Sequence, residues 1–153
     1  MKKTNRGFSL VELIIVIAIM AILAAAIAPA LIRYIDKSRR ADDVTAAGTV
    51  LTGVQTAMAD EDCYSEIAKA TSGQIICSVK GGKKGNVAVT AIGDNLKSEM
   101  ESTLAGGCDI KYTKDKAAYY NVTVNGEVLS VYIGKDATNT EWEIQPVTCK
   151  KYK

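Results

Sequence analysis

Between Phe8 and Ile32 a single residue, Glu12, carries a charge. A helix over this segment, rising ~1.5 Å per residue, can cross a hydrocarbon layer of ~30 Å. The start of the chain is therefore expected to span a membrane, and any globular domain has to be built from the residues beyond Ile32. A basic start (Lys2, Lys3, Arg6), an apolar middle and small residues at Ala24-Ala25-Ala26 or Ala28-Pro29-Ala30 would also fit a cleavable secretory signal. Two details oppose that reading. The apolar run is long for a signal, and Glu12 costs about 2.5–3.5 kcal/mol toward the bilayer centre, less near its edge. A disposable signal has no use for such an acid, so the bland alternative is a membrane helix whose glutamate stays wet among the headgroups.

Lys2-Lys3-Thr4-Asn5-Arg6-Gly7, followed by Phe8-Ser9-Leu10-Val11-Glu12-Leu13, resembles the class III leader and N-terminal motif of type IV pilins and pseudopilins. The resemblance covers the leader and the apolar segment. It implies that a membrane prepilin peptidase cuts between Gly7 and Phe8 and methylates the new amine of Phe8. It also places the family's assembly glutamate on Glu12 and its helix-bending proline on Pro29. Cutting before Phe8 creates an α-amino group four residues from the carboxylate. A carboxylate leaves water at tolerable cost when a cation and hydrogen bonds replace its hydration. The Phe8 amine of a neighbouring copy could then neutralise Glu12 and fix the axial stagger, although the chain's own amine is an equal candidate. The first turn of a helix also favours negative charge.

The expected domains are a leader over residues 1–7, a helix over 8–62 with its membrane segment at 8–32, and a head over 63–153. The basic residues after the span, Arg33, Lys37, Arg39 and Arg40, leave orientation weakly specified by loop charge. The resemblance, together with the cysteines, places the N-terminus in the cytoplasm.

Composition narrows the function. Of 19 Lys and Arg, three precede the apolar run, so the remaining 16 face 17 Asp and Glu. Beyond its first residues the chain is not basic, which argues against nucleic-acid binding by bulk charge. Histidine is absent, which removes Ser-His-Asp and Cys-His catalysis and the commonest metal ligand. No cofactor is called for, and the chain is not expected to be an enzyme. Cys63, Cys77, Cys108 and Cys149 form no CxxC pair of the kind structural zinc uses. An even cysteine count after an export-like segment reads as two disulfides in an oxidising compartment.

Past the membrane, Ala41, Val44, Ala47, Leu51, Val54 and Met58 recur at steps of three and four. Asp42, Asp43, Thr45, Thr49, Thr52 and Gln55 lie elsewhere on the wheel, which predicts an amphipathic continuation of the helix to about Asp62. Pro29 predicts a bend or local break, and Gly48 and Gly53 weaker soft spots. Residues 63–90, with Lys80-Gly81-Gly82-Lys83-Lys84-Gly85, read as loop and match no phosphate-binding spacing. A short helix is expected from about Gly93 to Leu104. Tyr119–Val124 and Glu127–Ile133 flank Asn125-Gly126 as a hairpin, with Val122 opposite Leu129 and Tyr120 opposite Val131. Cys108–Thr113 and Trp142–Val147 complete the expected strands. The fold class is α+β: a long N-terminal helix packed under a small antiparallel sheet, a plan that pilin heads share. Because such a head has a thin core, cross-links matter. The pairings expected are Cys63–Cys77 and Cys108–Cys149, contributing about 3 and 4 kcal/mol. The second would fasten the C-terminal segment, as disulfides do in many pilins.

The resemblance implies a structural subunit that polymerises with identical copies through residues 8–32 into a type IV pilus. Such a filament serves adhesion, surface motility or DNA uptake. Retaining Glu12 favours a bulk subunit over tip-initiating members, some of which lack it. Implied partners are the prepilin peptidase, an inner-membrane assembly platform and an assembly ATPase. The membrane holds the chain before assembly, and nucleic acid is a partner only of a competence filament. The alternative is a pseudopilin of a type II secretion system or competence pseudopilus. Asp136, Asn139, Glu141 and Glu143 offer oxygen atoms, but not at the spacing of the calcium loop that major pseudopilins share.

Overall fold

A computed structural model describes residues 8–153. Gly7 and the basic residues before it lie outside the described residues. The chain divides between Asp36 and Lys37 into two compact units. The described part of the first holds the start of α1 (Leu10–Ala57). Alanines over residues 24–30 supply the best helix propensity, and the β-branched Ile14, Ile15, Val16, Ile17 and Ile19 keep one permitted rotamer in a helix. Of the bend or local break expected at Pro29, the break is absent: α1 runs through the proline. Proline removes only the bond to the Ala25 carbonyl, and the ladder continues on both sides.

In the second unit α1 becomes one-sided. Its buried line is Asp43, Ala47, Val50, Val54 and Ala57, with Val44, Leu51 and Met58 half-buried beside it. Relative to the expected stripe the inner face is rotated, and Ala41 stays exposed. Gly53 is a packing position rather than a soft spot: a Cβ there would lie 3.3 Å from Met100 Sδ and Thr103 Cγ2. Nor does the helix reach Asp62. Asp60 turns extended and caps α2 (Glu61–Ile67), accepting from the Asp62 and Cys63 amides at 3.0 and 3.1 Å.

Five antiparallel strands complete the sheet: β1 (Gln74–Lys80), β2 (Ala88–Ala91), β3 (Tyr119–Asn125), β4 (Val128–Gly134) and β5 (Trp142–Gln145), in the order β2-β1-β3-β4-β5. β1 and β2 fall where the sequence reads as loop. The hairpin is present, but its turn is Gly126-Glu127, so Val122 faces Val131 and Tyr120 faces Ile133. Only Gly126 takes a positive φ in this turn, +64°, the pattern of a type II′ turn with glycine leading. Asn125 thereby keeps its ladder position and accepts a bond from the Ser72 hydroxyl. Each expected partner moves by two residues, which leaves Tyr120, Val122, Leu129 and Val131 on the core face. β5 stops before Pro146, which has no amide for the ladder. The outer sheet face is covered by the segment after β4. Ser78 Oγ donates to the Ala137 carbonyl, and Asn121 Nδ2 donates to those of Asp136 and Asn139.

Helix α3 (Asp94–Thr103) appears as expected, behind Gly93. Gly93 has no side chain to cap it, and Glu66 of α2 does so instead, accepting from the Asn95 and Leu96 amides at 3.3 and 3.0 Å. A Cβ on Gly93 would stand 2.0 Å from Glu66 Cδ. Glycine here is required for the close approach of that carboxylate.

The segment Cys108–Thr113 is not a strand. Cys108 exchanges backbone bonds with Gly82 as an isolated bridge. The next amides turn to a side chain: Lys111 N–H and Tyr112 N–H donate to Asp43 Oδ1 and Oδ2 at 2.7 and 3.1 Å. Asp43 is wholly buried. Burial pushes its pKa up, partly opposed by those two amides.

Asp43→Ala, which strands both amides, should lower stability by on the order of 3 kcal/mol in thermal unfolding of the detergent-solubilised chain. Because the folded chain holds this proton more tightly than the unfolded one, stability should fall as pH rises above the ordinary carboxylate value. In Asp43→Asn the slope should flatten. Gly93→Ala and Glu66→Ala should each cost about 1 kcal/mol through the same lost cap, and the double variant little more than either alone.

Candidate functional site

In the first unit, the large apolar side chains from Phe8 to Ile35 are exposed on every side: Phe8 is 86 % exposed and Ile22 69 %. The apolar window in this stretch has no residue buried within the chain. Exposed apolar area on this scale marks a surface that lipid or protein covers, and a helix apolar all round has no polar face to offer water.

At the start of this surface the chain assembles a cap. Ser9 precedes the first helical residue, Leu10, and Glu12 Oε2 accepts the Ser9 backbone N–H at 2.9 Å. This is the returning half of a capping box. The spacing Ser9-x-x-Glu12 carries that signal, which the reading of Glu12 as an assembly residue passed over. The acid has a local role first: it turns back along α1 and holds the amide next to Phe8. A carboxylate has acceptor sites beyond this one bond. The Glu12 carboxylate thus lies at the amide of Ser9, the residue after Phe8; Gly7 lies outside the described residues, and Pro29 lies inside continuous helix.

In the head, neither Cys63–Cys77 nor Cys108–Cys149 is formed; all four cysteines are free thiols. Cys63 is buried on α2. Cys77 lies on the core face of β1, paired with Ala91 and Val122, and Cys108 Sγ points to the Ala46 carbonyl at 3.9 Å. Burial pushes the thiols of Cys77 and Cys108 up to about 12, which keeps them protonated.

What fastens the C-terminal segment is Arg40. Its Nη1 donates to the Lys151 carbonyl at 2.7 Å and its Nη2 to the Tyr112 hydroxyl at 2.8 Å; the latter bond raises its pKa most. Tyr152 packs edge-on to Tyr112 and tilted against Trp142, with centroids 6.2 and 6.4 Å apart. Lys151 Nζ sits 3.5 Å above the Trp142 ring and 2.9 Å from Asp115 Oδ2. A guanidinium reaching a carbonyl 111 residues away leaves no local pattern, so sequence reasoning missed it.

The oxygen-bearing segment after β4 is bonded within itself. Asp136 Oδ1 accepts from the Thr138 amide and hydroxyl at 2.9 and 2.7 Å, which lowers its pKa, and Asn139 Oδ1 accepts from the Glu141 amide. Glu143 accepts from Ser130 Oγ. Among the described residues, no group of three or more His, Cys, Asp or Glu side chains is placed to hold a metal.

Comparison with known proteins places this geometry. Residues 2–28 match the family described as the prokaryotic N-terminal methylation motif. A fimbrial protein of Dichelobacter nodosus is 32 % identical over 136 residues, 88 % of this chain and 79 % of the relative. The type IV major fimbrial protein FimA of the same organism is 30 % identical over 99 % of this chain and all of its own length. The fimbrial protein EcpC of Eikenella corrodens is 33 % identical over 67 % of each chain. No solved structure matches. A methylation motif on the apolar stem, and similarity that runs through stem and head alike, show that this chain belongs to the type IV major pilins, the structural subunits of pili.

Proposed function

We propose that the chain is cut between Gly7 and Phe8, methylated on the Phe8 amine, and built into the pilus by exchanging lipid for neighbouring copies along residues 8–32. The observation that carries this reading is an apolar surface exposed on all sides, starting beside a carboxylate turned toward the chain's first residues. In lipid, that carboxylate keeps one hydrogen bond from the Ser9 amide. In the fibre, the Phe8 amine of an adjacent copy supplies the countercharge that desolvation requires, and it fixes the stagger between copies. Residues 1–7 act as leader, residues 8 to 57 as stem, shortened from the expected 8–62 because α1 ends at Ala57, and the residues from the α2 cap onward as head. The N-terminus faces the cytoplasm before assembly, and an inner-membrane platform with its ATPase drives extraction from lipid. The head coats the fibre and meets surfaces, cells or DNA. Nothing in the head or among the relatives favours the pseudopilin alternative.

Mass spectrometry of sheared fibres should find a chain beginning at methylated Phe8; a start after Ala26 or Ala30 would refute the processing step. Glu12→Ala should leave the chain in the membrane while cutting fibre yield at least about tenfold, since a loss of 1.4 kcal/mol per contact already amounts to that factor. Normal fibres of unchanged subunit spacing from this variant would sink the role given to Glu12.

A further inference from the structure

The sheet separates charge between its two ends. At one end lie Lys80, which closes β1 opposite Tyr119, and Lys135, which comes directly after the Gly134 partner of Tyr119. The β1–β2 connection adds Lys83 and Lys84 and the segment before β3 adds Lys116, all exposed. The connection is braced rather than loose. Gly82 is bridged to Cys108, and a Cβ on Gly107 would lie 2.7 Å from the Lys84 amide nitrogen. Of the acids nearby, Asp115 is paired with Lys151, while Asp109, Asp136 and Glu141 are exposed, fewer than the five lysines beside them.

At the other end Asp60, Glu61 and Asp62 are exposed at the start of α2, with Lys69 as a cation on the same connection. Glu127 of the β3–β4 turn joins them, lining one cavity of about 510 Å³ with Tyr64 and Ala68 of the α2 region. The two ends also differ in height along α1. The lysine connection lies at the level of Ala46, through Cys108. The acids follow the turn at Met58-Ala59 after the end of α1 at Ala57, which lies about 17 Å further along at ~1.5 Å per residue.

We propose that the lysine end of each head docks on the Asp60-Glu61-Asp62 end of a second copy of this chain, so that heads as well as stems hold the fibre together. The inference rests on the pilus reading. In a fibre generated by one repeated screw operation, every contact joins two different patches of the same chain. Opposite charges at opposite ends make that contact attractive and oppose like-end pairings, which fixes register and polarity. A free anionic polymer would use the lysine end alone and leave the acidic end without a role.

The test uses the full chain expressed in piliated cells, with its membrane level checked by immunoblot. Lys83→Glu with Lys84→Glu, and separately Glu61→Lys with Asp62→Lys, should each lower sheared-fibre yield about fivefold or more, because like charges then face each other. Combining all four should restore the yield. The neutral pair Lys83→Gln and Lys84→Gln, which perturbs the fold less, should give a smaller loss and fibres less sensitive to salt. Indifferent reversals in cells with normal wild-type fibres would overturn the head contact alone. So would failure of the four-residue swap to restore yield, or intact fibres that lose only their retention of DNA. A wild-type chain missing from the fibres would overturn the pilus reading itself.

Discussion

A helix apolar on every side has to be covered, and this one satisfies its own backbone from Leu10 onward. Internal hydrogen bonding is the condition for residence in lipid, and the same absence of polar side chains suits a core of packed copies. Membrane and fibre are thus two solvents for one surface. Almost nothing in residues 8–32 distinguishes them, which makes the exception at Glu12 informative. Its bond to the Ser9 amide gives the acid a tolerable position at the helix start without a partner chain, while leaving acceptor sites that only a cation or further donors would satisfy.

In the head the same helix changes character because a sheet covers one side of it. Val50 and Val54 join Tyr120, Val122 and Val131 in a single core. The edge of that core is closed by polar groups, not by more apolar area. Asp43 gathers two amides of an irregular segment, and Arg40 ties the last turn to α1. Each substitutes for something the sequence suggested, a strand at Cys108–Thr113 and a disulfide to Cys149. A buried carboxylate is costly unless its oxygens are bonded, and Asp43 meets that need with the Lys111 and Tyr112 amides, while the half-buried Arg40 spends both terminal nitrogens on the last turn and Tyr112. These contacts specify where the irregular segments lie.

The elements that could be read from the chain were those whose signal is local. The apolar stem, the stretch behind Gly93 and the alternating strands around Gly126 each carry their own period or turn chemistry. Within the hairpin, glycine chose the turn one residue later than the Asn-Gly pair suggested, and parity kept the inner face correct. β1 escaped because Ile76, Cys77, Ser78 and Val79 are all buried. With both sheet faces covered, the alternation that marks a strand disappears. Asp43 escaped for the converse reason, since a charged residue is ordinarily placed on the wet side of a helical wheel.

At the assembly end, the sequence alone determined that the chain begins with a leader-like motif, an acid and a membrane-length stem, because length, apolarity and spacing are properties of the chain itself. It also determined the α+β class. Tertiary structure decided which face of α1 is inside, where Asp43 and Arg40 send their hydrogen bonds, and that lysines and acids collect at opposite ends of the sheet. Those depend on residues brought together across as many as 111 positions, and no local pattern encodes a contact whose partner is chosen by the packing of the whole head.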